Sequence, residues 1–436
     1  MPFETLLLIL AYLVSAWAGK GSAVHAPAAW GPLGAAACVA ASVALSAVGT
    51  RSIVKRISTA RKAWETLVNE LARTVVLLRV SLLVLFAGAV YGGGWGAFVN
   101  DVLGLGGLPL VGPAVILIPF AVSWMAAASF LYRVEGGESR FRDFLAFRAR
   151  GAFGWLGLLV AGGGLVRFLF AEGPLTPVFE AHPALEGIVG IALLAGAALS
   201  VPYFLRIVWP TRPLPAGALR DTLAAFSRKI GFRYREVRVW ETGGLPILNA
   251  AVAGLVSPVR VVFLSRGLLE NLKEAEILSV FAHEAGHVRG HHAVGGIALA
   301  VGWAGFMLSV DGGLLSAGNP AAGYAIQGAL TLFFATVWVV QSRRLERAAD
   351  LFAAEALENP EAVAGTLLRV AMLNGDTRAM RSLTHDSVRS RADSLRKAAR
   401  LPAEGDRCRR GATAMLLVST MLMAGGLAAA APRFLF

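Results

Sequence analysis

The sequence predicts a polytopic α-helical membrane protein that carries a small α+β domain on its cytoplasmic face. Three observations lead there. The 436 residues are 56% hydrophobic and 16% charged, with a mean hydropathy of +0.62, whereas an ordinary soluble domain is roughly 25% charged. Apolar runs recur at lengths that approach or reach the roughly 20 helical residues a bilayer requires. Basic residues collect in alternate loops, the mark of cytoplasmic connections.

In order along the chain, the apolar runs fall near 4–18, 29–49, 74–92, 110–132, 152–170, 187–208, 293–310, 321–340 and 411–431. The first opens on "MPFET", which has no basic residue, and is followed by only a weak small-residue cleavage pattern, so it is read as a retained helix rather than a signal peptide. Loop 50–73 carries Arg51, Lys55, Arg56, Arg61, Lys62 and Arg73, and loop 133–150 carries Arg133, Arg140, Arg142, Arg148 and Arg150. Connections 93–109, 171–186 and 311–320 hold no Lys or Arg. The alternation predicts nine spans, an inside N-terminus, and both hydrophilic stretches, 209–292 and 341–410, on the cytoplasmic side. Arg79 and Arg167 lie near the ends of apolar runs, where snorkelling to the interface is expected.

The net charge of +13 does not point to nucleic acid, because the basic residues sit in loops between apolar runs and not on one soluble face. With two cysteines, Cys38 in an apolar run and Cys408 in a basic stretch, neither a disulfide framework nor a thiolate metal cluster can be built. Any metal must be held by His and carboxylate.

The hydrophilic stretches read as two parts of one domain. Residues 216–230 place Leu219, Leu223, Phe226 and Ile230 on one helical stripe, with Gly231 as the C-terminal cap. "REVRVWE" and "ILNAAVAGLVSPVRVVFLS" alternate or are β-branched and predict a small antiparallel sheet. A helix is expected from about Asn271, with Glu274 as capping-box partner and Glu276 in its first turn.

That helix contains "FAHEAGHVRGHH", residues 281–292. His283 and His287 stand at i and i+4, on one helical face, so two imidazoles can reach one tetrahedral ion. Glu284 sits about 100° away, close enough to take a proton from an attacking water without being a ligand. Ala282, Ala285 and Gly286 keep the helix thin. A third ligand is not found nearby. The position a metzincin would give its last histidine is Ala293, His291 and His292 are off register, and the region some twenty residues downstream is apolar. Topology offers Glu346: runs 293–310 and 321–340 form a hairpin that returns the chain to the same face, where Glu346 follows about 9 Å along a helix. Asp350, at i+4 from Glu346, can accept an N–H from a ligand histidine and orient its ring.

"GLLENLKEAEILSVFAHEAGHVRGHH", the two-span hairpin and "RRLERAADLFA" together resemble the integral-membrane zinc metallopeptidases of the CAAX prenyl protease and HtpX type. The resemblance covers roughly 216–400. It implies a gluzincin-like domain with one Zn2+ per chain held by His283, His287 and Glu346. Glu284 would be the catalytic base and Asp350 would serve the reaction by supporting a ligand. The family's N-A-x-x-x-G edge strand is matched by "NAAVAG", which puts Asn249 and Ala250 at the substrate. A later H-P-x-x-x-x-R segment aligns with "HDSVRSR", placing His385 and Arg391 at substrate or transition state, with Asp386 where the family has proline.

The expected organisation is a six-span region over 1–208, a first protease segment over 209–292, a hairpin over 293–340, a second protease segment over 341–410 and a terminal span over 411–436. The expected function is hydrolysis of membrane or membrane-proximal polypeptides from the cytoplasmic side. The partners are polypeptide substrate and bilayer, with no nucleic acid. The alternative, a membrane receptor using a zinc-protease domain as its output, calls for an extracytoplasmic ligand-binding domain, and every outside loop is short.

Overall fold

The apolar runs all fold as helices in the computed structural model, which describes residues 2–18, 27–58, 64–135, 139–170, 173–245, 247–310, 320–374 and 386–431. Seven of them lie on helices long and apolar enough to cross a membrane: Ala28–Ser58, Glu70–Gly92, Val111–Val134, Phe141–Phe170, Ile188–Val208, Ala325–Leu357 and Ala403–Ala430. The first and seventh lie on shorter apolar stretches, Leu7–Ala16 and His292–Met307. Leu77, Val84, Ile188, Ile207, Leu332 and Met421 turn large apolar side chains outward. Water would penalise such a surface and lipid does not. The chain is an integral membrane protein of mostly helical fold.

It divides into two compact units, Met1–Ala181 with Thr242–Pro246, and His182–Glu241 with Ile247–Phe436. The first unit is a helical bundle. Leu7, Leu8 and Ala11 of the first helix, Leu82 and Phe86 of the third, and Phe120 and Trp124 share one core. The Phe120 ring lies 5.4 Å from Phe86 and 5.6 Å from Trp124. Lipid supplies no hydrophobic drive between helices, so close packing must hold them. A Cβ at Gly34 would stand 2.5 Å from the Gly93 carbonyl, so only glycine allows that approach. Arg79 does more than snorkel: its guanidinium lies over the Trp124 ring, 5.7 Å from the centroid.

In the second unit, helix Pro183–Val208 leads into a four-stranded sheet of order β1-β2-β4-β3, formed by Thr211–Pro213, Glu236–Trp240, Ala250–Ala253 and Val261–Ser265. The expected all-antiparallel sheet is corrected to a mixed one. β1–β2 and β3–β4 are antiparallel, but β2–β4 is parallel. β3 runs opposite to β2 but one strand position away, and β4 turns back from β3 to fill the gap, so it lies alongside β2 in the same direction. β1 was not expected, because "TRP" has no alternation; its proline is tolerated at the sheet edge. Gly254 makes the turn after β3 at φ 111°, with Arg260 Cα 2.6 Å from where a Cβ would be.

Helix Ala218–Lys229 buries Leu223 and Phe226, and Gly231 caps it at φ 67° as its position suggests. The motif helix runs Glu274–Arg289, three residues later than expected, because a separate turn of helix, Arg266–Asn271, precedes it with Ser265 as cap. The capping partner is therefore Glu276, whose carboxylate accepts the Lys273 N–H at 2.8 Å, and not Glu274. Phe281, fully buried, sets the rotation of this helix. It packs edge-on against Phe226, Phe232 and Tyr234, with centroids 6.5, 5.5 and 5.8 Å away. Two residues further on, roughly 200° around the helix, His283 faces the opposite way.

The hairpin returns as one continuous helix, Pro320–Leu357, followed by Pro360–Leu373, Val388–Arg400 and Pro402–Ala430. Its outgoing helix His292–Val310 packs against Pro402–Ala430 through glycines. Added Cβ atoms at Gly302 and Gly305 would meet the backbone of Leu422 and Gly426 at 2.6 and 2.4 Å. Buried Ser419 donates to Gln341 at 3.0 Å, joining the returning and terminal helices.

Candidate metal centre

The motif helix and the returning helix cross at two small residues. A Cβ on Gly286 would stand 2.9 Å from Ala349 Cα and 3.0 Å from its carbonyl oxygen. This approach brings the side chains three residues before each contact, His283 and Glu346, onto a common space, with His287 and Asp350 just beyond.

The geometry suits a tetrahedral ion. Zinc bonds of about 2.0–2.1 Å place neighbouring donors about 3.4 Å apart in a tetrahedron. His283 Nε2 and His287 Nε2 are 3.1 Å apart, His287 Nε2 is 3.5 Å from Glu346 Oε1, and His283 Nε2 is 3.7 Å from Glu346 Oε2. All three donors lie within 4.8 Å of one another, the only such group of three found among the described residues. Two imidazoles and one carboxylate form a donor set that fits zinc and leaves a fourth direction open.

The supporting residues are buried. Asp350, 2% exposed, places Oδ1 3.0 Å from His283 Nδ1, close enough to fix the ring although off the line of an ideal hydrogen bond. Arg391 donates to both Asp350 oxygens at 2.8 and 2.6 Å, and its third nitrogen is 2.9 Å from Glu346 Oε2. Thus Arg391 reaches the centre by clamping its two carboxylates. The structure gathers His283, Glu284, His287, Glu346, Asp350 and Arg391, with Asn249 and Ala250 lining the same cleft. His385 lies outside the described residues, and Asp386 pairs with Arg347 at 2.5 Å.

Burial sets the proton affinities. It pushes the Glu284 carboxyl upward, with Glu346 adding repulsion, while His283 and the Val252 N–H that it accepts pull it back. His287 falls to about 3 through burial and the neighbouring His283, so its ring stays neutral. In His283, burial lowers the affinity, but Asp350 outweighs it and the net shift is upward.

Two features escape a reading of the sequence. His292, discounted as off register, comes within 2.7 Å of His287. The helix ends at Gly290, and His291 at φ 53° turns the chain, so helical register no longer applies. The second feature is which side of β3 is free. Ser265 N–H donates to Asn249 C=O, so 249, 251 and 253 bond to β4 while Ala250 and Val252 present their backbone to the cleft. Only the pairing register reveals that.

Residues 213–399 match peptidase family M48. The stretch that aligns with a protease HtpX homologue of Fusobacterium nucleatum subsp. nucleatum is 29% identical over 164 residues, 34% of this chain and 51% of that protein, so the match spans about half the relative's length. The fold is similar to the crystal structure of S. mikatae Ste24p, with a TM-score of 0.55 and 16% identity, over 84% of this chain and 98% of that one. Together these likenesses indicate a membrane metalloprotease whose residues 213–399 are similar to peptidase family M48, a family that implies a metal, generally zinc.

Proposed function

We propose that this protein is a zinc-dependent endopeptidase of the membrane, cleaving membrane or membrane-proximal polypeptides at the cytoplasmic face. The observation that carries this reading is the convergence of His283, His287 and Glu346 at tetrahedral spacing beside Glu284 and an open sheet edge. His283, His287 and Glu346 would hold one zinc, which supplies Lewis-acid polarisation of the scissile carbonyl. Glu284 takes the proton of the attacking water and returns it to the leaving amine. Its bond to Val252 N–H keeps the carboxyl beside the strand. Arg391 and Asp350 hold ligands in place.

The cleft measures about 970 Å³, room for several residues of extended peptide. β3 is an edge strand, so a substrate can add to it as a further strand. With Val252 N–H taken by Glu284, the Ala250 N–H, Ala250 C=O and Val252 C=O are the available partners. The basic loops support a cytoplasmic site, in which 209–292 and 341–410 would form the peptidase domain around the hairpin 293–340. The test is purified full chain in detergent, measured for bound zinc and for peptide hydrolysis alongside Glu284→Gln. One zinc per chain in both proteins, with hydrolysis reduced about 10²- to 10⁴-fold in the variant, supports the reading. Wild-type protein that binds no zinc, or a variant as active as wild type, overturns it.

A further inference from the structure

We infer that His292 is a positioning residue for the metal centre: its Nδ1 accepts the Nδ1–H of His287, fixing the tautomer and ring plane in which His287 Nε2 faces the ion. This rests on the zinc reading above, and extends it to a residue outside the H-E-x-x-H run.

The assignment of nitrogens follows from geometry. His287 Nε2 is the atom that faces His283 and Glu346, at 3.1 and 3.5 Å. Its other nitrogen, Nδ1, is 2.7 Å from His292 Nδ1, and the two rings meet edge to face at 83° with centroids 4.8 Å apart. Two nitrogens at that distance share one proton. If Nε2 of His287 is to offer a lone pair to a metal, the proton belongs on its Nδ1, and His292 must accept with Nδ1 and carry its own proton on Nε2. Asp350 plays the corresponding part for His283. The two ligand histidines are thus held from behind by different groups, one anionic and one neutral.

The chain is shaped to deliver this ring. His292 is 8% exposed, an expensive place for imidazole without a partner. Gly290 makes the room, since a Cβ there would stand 2.3 Å from His292 Nε2. His291, in the left-handed region at φ 53°, reverses the chain so that His292 points back at the motif helix. His292 itself begins the outgoing helix of the hairpin, His292–Val310. The same hairpin that brings Glu346 back to the centre on its return is therefore tied to His287 at its start.

The test compares His292→Asn, whose amide oxygen can stand where Nδ1 accepts, with His292→Leu, which fills the space without an acceptor. Zinc affinity of the full chain in detergent is measured by competition with a chromophoric chelator, and the cobalt-substituted proteins are compared by visible spectrum. We expect His292→Leu to bind zinc about 10- to 100-fold more weakly with an altered cobalt spectrum, and His292→Asn to keep most of the affinity and the wild-type spectrum. In zinc-loaded wild-type protein labelled with nitrogen-15 histidine, His287 is expected to be protonated at Nδ1 and His292 at Nε2, a readout independent of whether the leucine variant folds. His292 protonated at Nδ1 would overturn the inference, as would a folded leucine variant with wild-type affinity and spectrum, or an asparagine variant as weak as leucine. Wild-type chain that binds no zinc refutes instead the underlying peptidase reading.

Discussion

Gly286→Ala tests whether the crossing of two helices, and not the ligand residues alone, makes the metal centre. In an unobstructed helix this substitution is favourable by up to about 1 kcal/mol, because glycine loses more backbone entropy on folding. Here the new Cβ would stand 2.9 Å from Ala349 Cα, 3.0 Å from its carbonyl oxygen and 3.3 Å from its Cβ. All but the last are backbone atoms, so no rotamer change relieves the contact. Restoring ordinary contact near 3.4 Å moves the helices apart by at least about 0.5 Å, and overpacking of this kind costs about 1–3 kcal/mol. Overpacking outweighs propensity. The same displacement widens the separations of 3.5 and 3.7 Å between Glu346 and the imidazoles, which already sit at or above the tetrahedral value. We expect Gly286→Ala to lower the Tm of the metal-free protein and to weaken zinc binding at least 10-fold in chelator competition. Gly365→Ala is the control: it lies in helix Pro360–Leu373 with nothing within 4 Å of its Cβ, and should hold or raise Tm. If both variants gain stability alike and bind zinc as wild type does, the close crossing does not organise the centre.

Glu346→Ala should lose zinc as well as activity, since two imidazoles alone remain, while Asp350→Asn should weaken affinity about 10- to 100-fold without abolishing it; tight zinc in Glu346→Ala places the third ligand elsewhere. Ala250→Pro removes an outward donor of β3 and should weaken binding of an extended peptide to zinc-loaded Glu284→Gln protein, leaving the β3–β4 ladder intact. Ala251→Pro instead removes an N–H that bonds to β4 and should destabilise the sheet; unchanged peptide binding in Ala250→Pro argues against strand addition. For the metal-free protein, His287 takes a proton near its ordinary value when unfolded but only near pH 3 when folded. Between about pH 6.5 and 3 the unfolded chain binds more protons, so stability from this group is present above that window and declines as pH falls through it. His287→Gln should flatten the fall in metal-free Tm across that range, and an unchanged slope would assign acid sensitivity to other groups.

The membrane helices and helix Ala218–Lys229 were legible because apolar length or a stripe, as in Leu223 and Phe226, announces them, and local composition decides both. The residues that meet at the candidate centre were legible for a similar reason. His283 and His287 share one helix, and Glu346 follows from counting membrane crossings. What escaped depends on backbone paths that no residue type announces. The parallel pairing of β2 with β4 comes from β3 lying one strand beyond, so that β4 returns between them. The shift of the motif helix start from Asn271 to Glu274 comes from a short helix that spends Ser265 as its own cap. His292 was set aside because helical register was carried past Gly290, where the helix has ended. Arg391 was placed at the substrate by alignment. That it holds Asp350 and Glu346 could be read only from contacts between residues far apart in sequence, 41 residues in the case of Asp350.

Charge explains why these residues tolerate burial together. Glu284, Glu346 and Asp350 bring three carboxylates into one pocket, and Arg391 is the guanidinium that bonds two of them. An unbalanced pair of buried negative charges is costly, and a divalent cation at the imidazole–carboxylate cluster balances them. The distribution also separates roles. Arg391 neutralises Asp350 through two hydrogen bonds and reaches only one oxygen of Glu346, so Asp350 is committed to structure while Glu346 keeps an oxygen toward His287. Among the described residues Glu284 accepts from the Val252 N–H and from no guanidinium, which makes it the carboxylate whose proton can come and go. A cation beside it would draw its affinity back down. Zinc held by His283, His287 and Glu346 would supply Lewis-acid polarisation and would favour the basic form of Glu284, the form that can accept a proton.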